Sequence, residues 1–485
     1  MTKNAKVLKA GLGYTIGNYM LKGISFISIP IYTRLLSTSD YGRFNNFLTY
    51  EGIFFVFVGF AIHSSYKSAR YKYKLVSENA VPGKDYYSYA SATILFVLIC
   101  TLAWLILFNI FEIQLSRLLG LDRFSINLLV VYSASMALIT CFNTDVGIDY
   151  EYRKFLLVSG FNAIGTVIIS VLLLITAFSG KRYMGMIIGA SVPSILAAIY
   201  IIFYFFKRAR PNNLWDFLKW GIVYSLPIVP HGLSQVVLNQ FDRIMITKMV
   251  SVAATGVYSF AYNIYSILAV TFNSLDNVWS PWFYEQMRAK KFHEIKKISS
   301  IYILLMFIFS SGVILISPEI VFILGEKNYW VAKYTAIPVV AGGFFAFMYT
   351  VPAAVEYYHA KTVWIAIGTT AAAIINILLN YIFIPKIGYI AAAYATLVTY
   401  ILYFCFHFFI AKKIQGLNLF STKVILSCSV GILVISLITR MLINIMWIRW
   451  SIALLITVCS ILYEENKYGY IVSKIIELLN RRENK

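Results

Sequence analysis

The sequence predicts an all-α integral membrane protein of about 14 transmembrane helices, arranged as two pseudo-symmetric six-helix lobes plus two C-terminal helices. Three observations predict it. Of the 485 residues, 60% are hydrophobic and 13% charged, whereas a soluble domain carries about 25% charged residues. Apolar stretches of about 20 residues, enough to cross a hydrocarbon core roughly 30 Å thick, recur almost end to end. They are continuous rather than alternating, which selects helices over a β-barrel, the other arrangement that lipid tolerates.

Gaps between charges and turn residues place the first seven spans at 10–32, 44–64, 87–110, 124–142, 155–178, 184–206 and 222–246. Seven more follow at 256–275, 300–324, 334–355, 362–383, 387–410, 424–440 and 445–463. Residues 1–9 lead into the first span without a small-residue cleavage site, so that helix is expected to stay. Trp215, Trp220, Trp279, Trp330 and Trp450 fall near span ends, where amphipathic rings favour the interface. Pro227 and Pro230, near the start of the seventh span, are expected to weaken its hydrogen-bond ladder and permit a bend. Residues 1–210 form the first expected lobe, 211–413 the second, and 414–485 the additional helices and tail. An amphipathic, helix-like pattern at 468–482 is expected to lie on the inner membrane surface.

The net charge of +21 is explained by topology rather than by a nucleic-acid partner. With the amino terminus inside, the inner segments hold 28 Lys and Arg residues, and the outer segments together with the outer ends of their spans hold 13. That bias predicts a multi-pass protein with both termini cytoplasmic. The basic clusters at 67–74, 207–210 and 288–297 then orient the chain and touch anionic lipid headgroups of the bilayer. Cys100, Cys141, Cys405, Cys428 and Cys459 are an odd set inside apolar runs, which reads as buried filler. No His and carboxylate cluster has metal spacing, and no glycine loop with Lys and Ser/Thr can cradle a nucleotide. The expectation is therefore no metal, no cofactor and no enzyme activity, with energy drawn from an ion gradient, the membrane potential or the substrate gradient.

Two internal echoes predict the lobes. The run Arg34-Leu-Leu-Ser-Thr-Ser-Asp-Tyr-Gly-Arg-Phe44 aligns without a gap on Lys248-Met-Val-Ser-Val-Ala-Ala-Thr-Gly-Val-Tyr258, matching a basic residue, Ser37 with Ser251, Gly42 with Gly256, and an aromatic. Gly185 with Phe203, Phe205 and Phe206 similarly echoes Gly388 with Phe406, Phe408 and Phe409.

Polar residues inside spans are where function is expected, because an ionisable group there costs about 2.5–3.5 kcal/mol and faces protein or water. Lys22 and Glu51 lie at matching depths and are expected to meet near the midplane, as a cavity charge pair or as a structural bridge. The seventh span carries His231, Gln235, Asn239, Asp242 and Arg243 on one face. The eighth adds Tyr262, Ser266, Asn273, Asp276 and Asn277. These two faces line a hydrophilic cavity or bond helices together. Asp145, Asp149 and Arg153 lie beside the fourth and fifth spans, and Glu356 with His359 at the inner end of the tenth; wet loops are the plainer reading of both sets. His63 and His407, isolated near helix ends, read as packing or interface residues.

The sequence resembles the Wzx-type flippases of the polysaccharide-transport branch of the MOP superfamily. The resemblance is carried by Pro30-Ile-Tyr-Thr-Arg-Leu-Leu-Ser-Thr-Ser-Asp-Tyr-Gly42, Asp242-Arg-Ile-Met-Ile246, Gly256-Val-Tyr-Ser-Phe-Ala261, Trp279-Ser-Pro-Trp-Phe283, Asn380-Tyr-Ile-Phe-Ile-Pro-Lys-Ile-Gly388 and Ala391-Ala-Ala-Tyr-Ala-Thr396. It implies a two-lobed transporter that flips an undecaprenyl-diphosphate-linked oligosaccharide by alternating access for O-antigen or capsule biosynthesis, in association with polysaccharide polymerase machinery. Lys22, Arg243, Arg34 and Arg153 are then candidates for the diphosphate, and Glu51, Asp242 and Glu356 for ion coupling. Few basic residues sit at midplane depth, so a mostly neutral sugar held by Asn, Gln, Ser and Tyr groups fits best. The alternatives are a multidrug or toxin cation antiporter of the same superfamily and a peptidoglycan-precursor flippase. A membrane polymerase is disfavoured, because every predicted outer loop is short.

Overall fold

The computed structural model describes residues 3–73, 85–416 and 419–468. Every regular element among them is helical. The amphipathic pattern predicted from 468 onward lies outside the described residues beyond its first position.

In chain order the α-helices are α1 (Lys3–Leu35), α2 (Thr38–Val58), α3 (Tyr66–Lys72), α4 (Tyr86–Ile110), α5 (Glu112–Leu119), α6 (Arg123–Ile148), α7 (Tyr152–Thr176), α8 (Arg182–Phe206) and α9 (Leu214–Ser225). They continue as α10 (Val229–Met249), α11 (Val252–Arg288), α12 (Phe292–Leu324), α13 (Lys333–Met348), α14 (Thr350–Tyr358), α15 (Thr362–Ile387), α16 (Ile390–Gln415), α17 (Thr422–Met441) and α18 (Met446–Tyr468). Ten described helical segments are long and apolar enough to cross a membrane, or eleven if α2 and the segment through α3, bent by 54°, count as one.

Several spans differ from expectation in detail. The seventh breaks where its prolines stand: residues 226–228 form a 3-10 turn between α9 and α10, because proline supplies no N–H to the ladder. The tenth is interrupted at Tyr349, between α13 and α14. The eighth, expected to end at 275, runs on as 37 residues of α11 through Pro281 to Arg288. The stretch 276–288 lacks a glycine to stop the helix, and Trp279, Phe283 and Met287 bury along it, each at most 4% exposed.

The chain forms two compact units, Met1–Gly256 and Val257–Lys485. In the first, small residues let backbones approach where lipid offers little hydrophobic drive. A Cβ at Gly189 of α8 would lie 2.5 Å from the Cα of Ser170 on α7, and one at Gly165 of α7 would lie 3.1 Å from Pro193. A tyrosine-rich core gathers around Tyr66, Tyr86 and Tyr89, with the Tyr66 and Thr93 hydroxyls 2.8 Å apart.

In the second unit, α17 and α18 pack on α12, and one ion pair fixes them. Arg449 of α18 is 1% exposed. Its guanidinium donates to both carboxylate oxygens of Glu319 on α12 and to the carbonyls of Leu315 and Leu442. Breaking such a buried pair costs about 3–5 kcal/mol, whereas replacing both charges with apolar groups is often neutral. Arg449→Leu is therefore expected to lower the thermal midpoint sharply, and Arg449→Leu with Glu319→Leu to recover most of it. Melting of the three purified proteins in detergent checks this, and an undisturbed single variant would show that the pair holds nothing.

Candidate functional site

The first echo has a structural cause. Ser37 caps α2, its hydroxyl accepting the Asp40 N–H at 3.0 Å, and Ser251 caps α11 in the same way, accepting the Ala254 N–H at 3.1 Å. The matched glycines then meet. A Cβ on Gly42 would lie 2.0 Å from the Val252 carbonyl oxygen, and one on Gly256 would lie 1.9 Å from that of Thr38. Thr38 stands to Gly42 as Val252 stands to Gly256, so each glycine sits over the carbonyl one turn before the other. Beyond this crossing, Asn46 of α2 donates to the Thr247 hydroxyl of α10 at 2.7 Å, and Thr247 lies 2.7 Å from the Thr255 hydroxyl.

α10 packs along α2, with Gly52 against Val236 and Gln240 and Gly232 against Val56. The predicted polar face lies on this helix. His231, Gln235 and Asn239 are half-buried, while Asp242 is 1% exposed. The Asn239 amide donates to the Gln235 carbonyl at 2.8 Å, and the Arg243 guanidinium donates to the Asn239 carbonyl at 3.1 Å. Asp242 accepts the Arg243 N–H at 2.9 Å and lies 3.9 Å from that guanidinium. The stripe is thus linked from Gln235 to Arg243.

The expected meeting of Lys22 and Glu51 is not formed. Lys22 of α1 is exposed, Glu51 of α2 is half-buried, and no ion pair joins them among the described residues. Equal depth along two helices does not set rotation about their axes, which is where the expectation fails. Arg34 is exposed and donates to the Pro30 carbonyl on its own helix at 2.9 Å. Arg153 is exposed on α7. Asp145 and Asp149 are joined to a network at the helix ends instead of lying in wet loops. Tyr86 donates to Asp145 at 2.8 Å, Arg208 lies 3.7 Å from Asp145, and Arg70 lies 2.5 Å from Asp149.

In the second unit, Tyr262 lies beside Tyr258, with their hydroxyls 3.2 Å apart. Ser266 is bonded back to the Asn263 carbonyl at 2.6 Å, Asp276 accepts from Ser280 at 3.3 Å, and Asn273 and Asn277 are exposed.

Glu356 is the largest revision. Its neighbour in sequence, His359, bonds Gln415 at 2.8 Å instead. Glu356 of α14 meets His407 of α16, Oε1 to Nδ1 at 2.6 Å, with both side chains fully buried. Tyr349 and Tyr403 flank the imidazole at ring distances of 5.7 Å and 4.6 Å, and Tyr403 bonds Thr369 of α15 at 2.9 Å. Gly368 leaves the space, since a Cβ there would lie 2.9 Å from His407 Nε2. The outer atoms of the pair, Glu356 Oε2 and His407 Nε2, are buried without a hydrogen-bond partner. A carboxylate and an imidazole in this contact can share or pass one proton. No local pattern links residues 51 positions apart, which is why His407 reads as packing in the sequence. A second buried polar group, Asn376 donating to Thr396 at 3.2 Å and Asn380 to Asn376 at 3.0 Å, was legible as an Asn pair at helical spacing inside a span.

Continuous apolar helices in two units, with polar and ionisable pairs held inside them, define a multi-pass membrane protein. The fold is that of the MOP-superfamily transporters. The structure superposes on the lipid II flippase MurJ in an inward closed conformation with a TM-score of 0.72 at 18% identity, over 95% of this chain and 99% of that one. An inward-facing multidrug resistance MATE family transporter of the MOP superfamily gives 0.61 at 12% identity, over 84% of this chain and 98% of that one. Residues 7–287, more than half of the chain, match the polysaccharide biosynthesis protein family, and the chain belongs to that family. An uncharacterised membrane protein of Haemophilus influenzae is 26% identical over 365 residues, 72% of this chain and 83% of that protein.

Proposed function

We propose that this protein is a Wzx-type flippase that moves an undecaprenyl-diphosphate-linked oligosaccharide from the inner to the outer leaflet of a bacterial cytoplasmic membrane, for O-antigen or capsule assembly. Membership of the polysaccharide biosynthesis family together with a flippase-like fold carries the reading. A sugar head loses hydrogen bonds to water in hydrocarbon and needs a polar passage, while its polyprenyl tail stays in lipid. α1, α11 and α18 would also span, bringing the total to about fourteen. The lobes would be 1–210 and 211–413, both termini cytoplasmic, and the polymerase machinery the partner.

In this reading Gln235, Asn239, His231, Tyr262 and Asn273 offer neutral hydrogen bonds to sugar, and Lys22 and Arg243 offer positive charge to the diphosphate. Coupling falls to Glu51, Asp242 and, most directly, Glu356, whose contact with His407 suits a proton.

In a strain lacking its own flippase, expression of this chain is expected to restore surface polysaccharide. Lys22→Ala is expected to slow export several-fold, and wild-type export by that variant removes Lys22 from the passage. Cysteines at 231, 235 and 239 should react with a membrane-impermeant thiol reagent in at least one state; labelling at none of them removes the α10 face. The MurJ likeness favours one second reading, a peptidoglycan-precursor flippase. Restored growth on loss of the cell's own precursor flippase, with surface polysaccharide unchanged, would select it. Drug tolerance restored in a pump-deficient strain would select an antiporter.

A further inference from the structure

A cavity of about 680 Å³ lies in the first unit between α1, α3 and the C-terminal turns of α6, within the size range of small-ligand sites. Thr140, Asn143, Thr144 and Gly147 line it from α6 at spacings that put them on one helical face. Thr140 and Thr144 donate to carbonyls one turn back, both at 2.8 Å, and keep lone pairs for a ligand donor. Asn143 Oδ1 is buried without a hydrogen-bond partner. Such a face on an apolar helix calls for water or a polar ligand.

The opposite wall carries a cation and aromatic rings. Lys67 and Tyr71 stand four positions apart on α3, and both line the cavity. Arg70 is committed elsewhere, 2.5 Å from Asp149 and 4.7 Å over the Tyr86 ring. Lys67 is exposed and has no carboxylate partner among the described residues. Tyr71 is 88% exposed, and Tyr150 is held at φ 60°, a left-handed conformation that bulky residues adopt at a cost and that clusters at ligand sites. Tyr14 is fixed as a side wall by its hydroxyl, which donates to the Val146 carbonyl at 3.1 Å.

We infer that this cavity binds the sugar-phosphate end of an amphiphile. The tyrosine rings take the apolar face of a pyranose, the α6 face bonds its hydroxyls, and Lys67 meets the adjoining phosphate as a point charge. This rests on the flippase reading and adds to it a recognition site for the head group, on the end of the unit that the charge bias assigns to the cytoplasm.

The test uses the purified full chain and calorimetric titration with three soluble probes: a citronellyl-diphosphate-linked disaccharide, citronellyl diphosphate, and inorganic pyrophosphate. The wild type should bind the sugar-bearing probe about tenfold more tightly than the sugarless one. Lys67→Ala should weaken both citronellyl probes about tenfold, and Tyr71→Ala only the sugar-bearing one. Both side chains are exposed, so unchanged melting shows that the variants fold. Equal wild-type affinity for the two citronellyl probes overturns the inference in favour of a general phosphate or phospholipid-headgroup site. Unchanged affinities in both variants overturn it outright, and the flippase reading stands if the wild type still restores export. Variant-sensitive binding without export by the wild type leaves the site and removes the flippase reading.

Discussion

Gly42→Ala and Gly256→Ala are each expected to destabilise the protein by about 3 kcal/mol or more. In an ordinary helix interior the same change stabilises by about 1 kcal/mol, so the sign alone discriminates. The new methyl group would lie about 2 Å from a backbone carbonyl oxygen in either case, and a backbone cannot rotate aside as a side-chain tip can. The double variant should cost less than the sum, because one separation of α2 from α11 relieves both clashes. Thermal unfolding in detergent checks each step. A gain in stability at either position would mean that the helices separate freely there and that the reciprocal contact is incidental.

Truncating the buried pair is the second large effect. His407→Ala leaves the fully buried Glu356 without its partner, and a cost of about 3–5 kcal/mol is expected. Glu356→Gln keeps the volume and a hydrogen-bonding group, so it should fold within about 1 kcal/mol of wild type. It can no longer gain and lose a proton. If the pair couples transport, that variant should lose at least about tenfold in pH-gradient-driven flipping in proteoliposomes while its melting is nearly unchanged. Wild-type flipping by Glu356→Gln would make the pair a structural fastening.

The difference between these two cases shows what was legible beforehand. Ser37, Gly42, Ser251 and Gly256 stood out as residue types repeated at fixed offsets in two places, but only the structure shows that the serines cap and the glycines cross inside helices. The α10 face was likewise visible, since helical spacing sets which residues share a side. His407 was not, because its partner lies on another helix, and neither was the attachment of α18 by Arg449 to Glu319 across 130 positions. The expectation for Lys22 and Glu51 failed for the same reason: depth in a span is a one-dimensional quantity, while contact also needs the rotation of both helices.

By itself the sequence determined a helical, membrane-embedded chain and the approximate place of its spans, while α11 runs on to Arg288 past the expected end at 275. The class and the spans follow from local chemistry, because hydrocarbon demands internally bonded backbone. Only the tertiary structure decided which polar groups meet, pairing Glu356 with His407, Arg449 with Glu319 and Arg70 with Asp149. Those choices depend on helix rotation and packing, which arise from the shapes of many side chains at once and leave no mark at any single position.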